Sequence, residues 1–314
     1  MSTPTLPLDA HSASLLVQTA ALAQGLSAEQ LTPDKRRTLM LQATPMLRDA
    51  HAPSLGFENM RIPLSGRSLS ARLYQAAADA PHADVLCVFF HGGGWVAGDL
   101  DTHDHACQFL AQHLGCSLLS VQYRKSPEHR FPAPCDDAAD AFAWAHAHMA
   151  QWGCTRVLLC GDSAGGHLAA HAMHSQPALP VAAAWLIYPV ADMQFDNTSY
   201  TERGNGPGLM KAGMLWFWEQ FLGSIESVND PRAVLMRQEW ISKPPPTLVS
   251  VAWHDPLHDE GVNYAALLEK AGGHVELHNA SDMAHGYLRQ CWVNDSARGH
   301  LLAAIESVRV LLRA

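Results

Sequence analysis

The sequence predicts an α/β fold, a mainly parallel sheet covered by helices on both faces. Three observations point there. Short apolar runs alternate with helix patterns along most of the chain. Several runs, such as Val85–Phe90, are apolar throughout rather than at every second residue, the mark of strands buried on both sides. Glycine-rich turns stand where such strands end. With 314 residues, 48% hydrophobic and 16% charged, the chain can bury a full core, which excludes disorder, collagen and coiled coil.

The elements follow in order. Residues 1–50 read as helical: Leu8 to Gln24 is rich in Ala and Leu. Thr32-Pro33-Asp34 supplies a capping Thr, a first-turn Pro and an acid near the positive helix end. This region is an appendage to a core beginning near Gly56. Arg61–Leu64 and Leu69–Gln75 form a hairpin around Ser65-Gly66. The strands Val85–Phe90, Cys116–Tyr123, Arg156–Cys160, Ala182–Val190, Thr247–Trp253 and His274–His278 bring the total to eight. Between them lie helices at Asp104–Leu114, Pro134–Trp152, His167–Met173 and His258–Ala271, and Asn294–Arg313 closes the chain. The segment Asp192–Asp230 is too long for a connector; it holds Met210, Met214, Trp216, Phe217, Trp218, Phe221 and Leu222 at roughly helical spacing.

Lys plus Arg number 21 against 30 Asp plus Glu, a net charge of −9 with no basic run. Such a chain is unsuited to nucleic-acid phosphates or an anionic membrane surface. The longest apolar stretch, Val181–Ala191, has 11 residues where a membrane span needs about 20. The opening Met1-Ser-Thr-Pro-Thr-Leu-Pro lacks the features of a signal peptide. Seven cysteines with no CxxC pair read as reduced and buried, and the expected compartment is the cytoplasm.

The strongest chemical signal is Cys160-Gly161-Asp162-Ser163-Ala164-Gly165-Gly166, which follows an apolar strand and opens a helix. That is the setting of a nucleophile elbow, G-x-S-x-G, where a serine on a strained turn projects its hydroxyl above the sheet. The alternative is a plain strand-to-helix turn. Second comes His91-Gly92-Gly93-Gly94-Trp95, directly after the strand Val85–Phe90 and 72 residues before the serine. Its unhindered amides suit half an oxyanion hole. No Gly-Lys-Ser/Thr and no G-x-G-x-x-G in this loop supports a phosphate or dinucleotide cradle. A serine nucleophile needs a base, and the base an orienting carboxylate, in the chain order Ser, acid, His. Asp255 follows one strand and His285 the next, so both fit order and placement. Asp259, Glu260 and Asp282 remain alternatives for the acid, and His254, His258 and His278 for the base.

Taken together, His91-Gly-Gly-Gly-Trp95, Tyr123-Arg124 with Pro127-Glu128-His129, Gly161-Asp-Ser-Ala-Gly-Gly166, Asp255-Pro-Leu257 with Asp259-Glu260, and His285-Gly286 resemble the hormone-sensitive-lipase-like branch of the α/β-hydrolases. The resemblance runs from about residue 56 to 290 and implies an α/β-hydrolase fold with an eight-stranded sheet and a helical cap. It implies residues 1–50 and the insertion at about 192–230 as the cap, on a catalytic domain spanning 51–314. By resemblance Ser163 is the nucleophile, His285 the base and Asp255 its orienter. The amides of Gly92, Gly93, Gly94 and Ala164 form the oxyanion hole, with the choice among the glycines open. Trp95, Tyr188, Met214, Trp216 and Phe217 are the expected substrate-pocket residues. The sequence departs from the family at His258, where Arg is common, and at Tyr287, where Phe is common.

The implied chemistry is acyl transfer through Ser163 on carboxylic esters of short to medium chain, with no metal or organic cofactor. An amidase or formamidase, a deacetylase or a lipase could use the same triad. A non-catalytic binder would lose a triad residue, and all three are present. The clusters His103-Asp104-His105 and His167/His171/His174 read as packing histidines rather than metal ligands, Glu128-His129 as support near the glycine loop, and Asp162 as a hydrogen-bonding neighbour of the nucleophile. A homodimer through the sheet edge at about 274–278 is also expected by resemblance.

Overall fold

The computed structural model describes residues 6–27, 29–206, 208–225, 230–239 and 243–313. The expectation for Met1 to Thr5 therefore lies outside the described residues, as do parts of the 192–230 insertion. Two helices open the chain, α1 (Ala10–Ala21) and α2 (Pro33–Ala43). Each begins where the sequence offers a cap: Asp9 accepts the Ser12 amide, and Thr32 accepts that of Lys35.

The core follows as β1 (Glu58–Leu64), β2 (Arg67–Tyr74), β3 (Val85–Phe90), α3 (Asp104–Leu114), β4 (Ser117–Gln122), α4 (Ala133–His148), β5 (Arg156–Asp162), α5 (Ala164–Ser175) and β6 (Ala183–Ile187). The insertion carries α6 (Thr198–Arg203) and α7 (Lys211–Leu222), and β7 (Thr247–His254), α8 (His258–Lys270), β8 (Val275–Ala284) and α9 (Asp295–Leu311) complete the chain. All eight strands join one sheet in the order β1-β2-β4-β3-β5-β6-β7-β8. β2 runs antiparallel to both its neighbours; from β4 to β8 every pairing is parallel.

Alternation along β3 shows why both faces are covered. Leu86, Val88 and Phe90 enter one apolar cluster with Phe142 of α4 and Leu168 of α5. Val85, Cys87 and Phe89 enter a second with Leu110 of α3 and Leu301 of α9. A strand with both faces buried has no polar side, so it reads as a continuous apolar run. All seven cysteines are free and buried. Among the described residues, no helix is long and apolar enough to cross a membrane.

The structure corrects one boundary with consequences. The strand expected at His274–His278 runs on to Ala284, with an irregularity in its pairing with β7 near Ala252/His254. Its second half, Asn279-Ala-Ser-Asp282, is polar because β8 is an edge strand with only one neighbour. The extension delivers His285 to the same end of the sheet as the end of β5.

Candidate active site

Three parallel strands end at the same rim, and the residue just past each is a member of the expected triad: Ser163 after β5, Asp255 after β7 and His285 after β8. Ser163 has φ 55° and ψ −122°, the strained conformation of an elbow. The strain is enforced from both sides. The Ser163 N–H donates to the Ile187 carbonyl at 2.8 Å, and a side chain at Gly165 would run into the Phe90 carbonyl oxygen. A side chain at Gly161 would meet the Gly165 backbone, so only glycine lets β5 and α5 approach this closely.

The Ser163 hydroxyl lies 2.9 Å from His285 Nε2, and His285 Nδ1 lies 2.6 Å from Asp255 Oδ2. Asp255 is fully buried, and its other oxygen accepts the Leu257 N–H at 2.9 Å. A buried carboxylate with both oxygens engaged is fixed in place and favours the tautomer with Nδ1 protonated, leaving Nε2 free to accept the serine proton.

The rivals sit elsewhere. Asp259 accepts the Ser199 N–H and pairs with His258, while Glu260 accepts the Ala191 N–H. Asp282 is held by His300 and Ser296. His254 contacts the Leu6 carbonyl, and His278 contacts His300. Of the two departures from the family pattern, His258 packs edge-on to Trp253, and Tyr287 is buried against Tyr188.

The glycine loop faces the serine, but Gly92 has no amide to offer. Its N–H donates to Asp162 Oδ1 at 2.8 Å. The amides of Gly93 and Gly94 donate to no described acceptor, and that of Ala164 is in the first turn of α5, where helix amides lack internal partners. Asp162 thus acts as a clamp on the loop. Burial alone would raise its pKa, but His103, 3.5 Å away, and the Gly92 amide outweigh this and lower it. Behind the clamp, His91 stacks on Tyr123 at 4.4 Å between ring centroids, and burial pushes its imidazole down to about 3.

Tyr188, another strained residue at φ 36°, backs the base: its ring lies 4.7 Å from that of His285. Its hydroxyl accepts the Leu288 N–H at 3.2 Å and lies 3.4 Å from Asp162 Oδ2. Trp95 also lies beneath the site rather than in it. It stacks on Phe221 at 4.2 Å, packs on Trp218, and donates its indole N–H to His167, locking α7 onto the glycine loop. His167 is therefore a packing residue. Among the described residues no group of three or more His, Cys, Asp and Glu is arranged to hold a metal ion.

Above the serine opens a cavity of about 380 Å³, the scale of a small-molecule site. Met214 and Phe217 of α7 line it, and Phe217 presses on Gly94. Trp216 does not line it; that ring is covered by the Arg36 guanidinium at 4.1 Å. Most of the wall comes from residues not anticipated from sequence: Leu15, Leu16 and Thr19 of α1, and Arg36, Leu39, Met40 and Ala43 of α2, together with Leu209 and Arg289. The expected Glu128 support is visible, since Arg37 of α2 donates to both its carboxylate oxygens and to the Val96 and Ser126 carbonyls.

The profile of a family with the alpha/beta hydrolase fold matches residues 87–289. The chain belongs to that family, in its hormone-sensitive-lipase-like carboxylesterase group. It is 38% identical over 242 residues to the carboxylic ester hydrolase LipN of Mycobacterium tuberculosis, a match covering 73% of this chain and 64% of that one. The ethyl acetate hydrolase of Pseudomonas putida is 35% identical over 78% of this chain and 79% of its own length. Among solved structures, a hyperthermophilic esterase from the archaeon Pyrobaculum calidifontis superposes with a TM-score of 0.86 at 30% identity, covering 97% of this chain and 100% of that one.

Proposed function

We propose that this α/β-hydrolase is a serine carboxylesterase, cleaving carboxylic esters of short to medium chain through an acyl-enzyme on Ser163. The observation that carries this reading is the hydrogen-bonded line Ser163–His285–Asp255 opening on a cavity beside unengaged amides. His285 takes the Ser163 proton as the hydroxyl attacks the ester carbonyl, and Asp255 stabilises the resulting imidazolium. The amides of Gly93, Gly94 and Ala164 receive the oxyanion, each donor worth roughly 10²–10³ in rate. His285 then protonates the leaving alcohol, and water repeats the sequence on the acyl-enzyme.

The N-terminal helices and α7 serve as the cap. The free, buried cysteines favour work in the cytoplasm. The edge strand β8, with Leu277 exposed, is where we place a homodimer contact; light scattering that finds a monomer at micromolar concentration removes it. The test of function is hydrolysis of p-nitrophenyl esters from acetyl to palmitoyl, with Ser163→Ala as the blank. A maximum between acetyl and octanoyl that vanishes in the variant is expected. A maximum at lauroyl or longer moves the assignment to a lipase. Wild-type rates equal to the blank on every ester overturn it.

A further inference from the structure

Two of the residues facing the cavity are arginines without carboxylate partners. Many other arginines in this acidic chain are paired with carboxylates, among them Arg37 with Glu128, Arg67 and Arg124 with Asp137, Arg72 with Asp104, Arg156 with Asp84 and Arg232 with Asp230. Arg289 instead donates Nε–H to the Thr102 carbonyl at 3.3 Å, and its Nη2 to Thr44 Oγ1 at 3.0 Å and the Met40 carbonyl at 3.4 Å. All three acceptors are neutral. Its Nη1 has no acceptor among the described residues, and the side chain lines the cavity. Arg36 donates to the Leu31 carbonyl and lies over Trp216, again with no described anion. Burial lowers the pKa of both guanidinium groups, which nonetheless stay charged at neutral pH.

Both guanidinium groups are half-buried with no carboxylate at ion-pair distance, Asp162 acting on Arg289 only from further off; a partly desolvated charge held this way is costly, and the cost is retained where a ligand supplies the missing close partner. Arg289 is already immobilised by its three bonds, so the free edge of its fork is held ready for a bidentate acceptor. It also follows His285 by four residues, on the turn Tyr287–Gln290, which places it on the catalytic rim. Asp162, the acid on the same cavity, has Oδ1 committed to the Gly92 amide. The rest of the wall around the two cations is largely apolar: Leu15, Leu39 and Met214 among others.

We infer that the preferred substrates are esters carrying a free carboxylate at the end remote from the scissile bond, half-esters of dicarboxylic acids, with Arg289 receiving that carboxylate and Arg36 adding a second positive charge. This rests on the esterase reading above. The apolar wall holds the intervening methylene chain, and the remote ion pair fixes the ester over Ser163.

The test compares monoethyl adipate with ethyl adipamate, a matched pair in which an amide replaces the carboxylate, by following ethanol release at pH 7. The wild type should favour the half-ester by about 10–100-fold in kcat/KM, the scale of a charge-assisted hydrogen bond. Arg289→Gln should bring that ratio close to one, and Arg289→Lys should restore part of it. A wild-type ratio of one or less, with neutral p-nitrophenyl esters still hydrolysed, overturns the inference and leaves the esterase reading intact. No turnover of any ester overturns the esterase reading itself. A ratio unchanged in Arg289→Gln overturns the assignment to Arg289. Should that variant fail to fold, competitive inhibition of the wild type decides: adipate should inhibit at least about tenfold better than adipamide, and equal inhibition overturns the inference.

Discussion

Asp162 offers a test of how the glycine loop is held, because it stands next to the nucleophile yet takes no part in the proposed proton transfers. Its Oδ1 accepts the buried Gly92 N–H at 2.8 Å, while Oδ2 lies 3.4 Å from the Tyr188 hydroxyl. Asp162→Ala deletes a charge-assisted hydrogen bond and leaves a buried amide without a partner, a local cost of about 2–3 kcal/mol. A loop released by that much no longer holds Gly93 and Gly94 in register with the oxyanion they are proposed to bind. One misplaced donor costs roughly 10²–10³ in rate, so kcat should fall by about 100-fold while KM stays within about threefold. Asp162→Asn keeps an acceptor at Oδ1 and should recover to within about tenfold of the wild type. The assay is steady-state hydrolysis of p-nitrophenyl butyrate, with circular dichroism to verify folding. A folded Asp162→Ala enzyme with kcat within threefold of wild type would refute the clamp. Equal loss in both variants would show that the charge matters rather than the bond.

Three further outcomes follow from the structure. Arg37→Ala should loosen α2 by about 1–2 kcal/mol, since its pair with Glu128 is half-exposed and screened while its two bonds to backbone carbonyls are lost outright; hydrogen exchange should show faster opening across residues 33–43, and unchanged protection there contradicts the strap. His91, His105 and His167 are each pushed down to about 3 by burial. Because the unfolded chain protonates them near 6.5, the stability from keeping them neutral is present above that pH. It is lost as pH falls toward 3, at up to about 1.4 kcal/mol per pH unit for each histidine. Guanidinium melts at pH 7, 6 and 5 should show that steepening, and a flat profile contradicts it. Finally, Gly165→Ala forces a methyl group onto the Phe90 carbonyl and should destabilise by more than about 3 kcal/mol, whereas Gly66→Ala, at φ 72° with nothing within 4 Å, should cost only about 1–2 kcal/mol. Similar melting midpoints for the two variants would contradict the close packing at the elbow.

The parts of this molecule that were legible in sequence are those with local causes. Val85–Phe90 is bounded correctly because a strand buried on both faces has no polar residue to blur its ends. The elbow is visible because close packing at Gly161 and Gly165 admits nothing larger. β8 was legible only over its apolar start, since an edge strand can carry Asn279, Ser281 and Asp282 and still pair along one side. The cavity wall was the least legible. Large aromatics near a motif suggest a pocket, but Trp95 is buried against Phe221 and Tyr188 beneath His285, where their size is used for packing. The actual lining from α1 and α2 depends on contacts across more than a hundred residues, which no local pattern encodes. The role of Gly92 was equally hidden, because its amide is taken by an acid 70 positions away.

The proposed reaction passes through a covalent intermediate on Ser163. Treating the enzyme with a fluorophosphonate and mapping the adduct by mass spectrometry tests it directly. One label per chain is expected, on the peptide containing Gly161 to Gly166, with inactivation in proportion to labelling and neither label nor activity in Ser163→Ala. A label on another residue that tracks the loss of activity, or full ester turnover by Ser163→Ala, would contradict it.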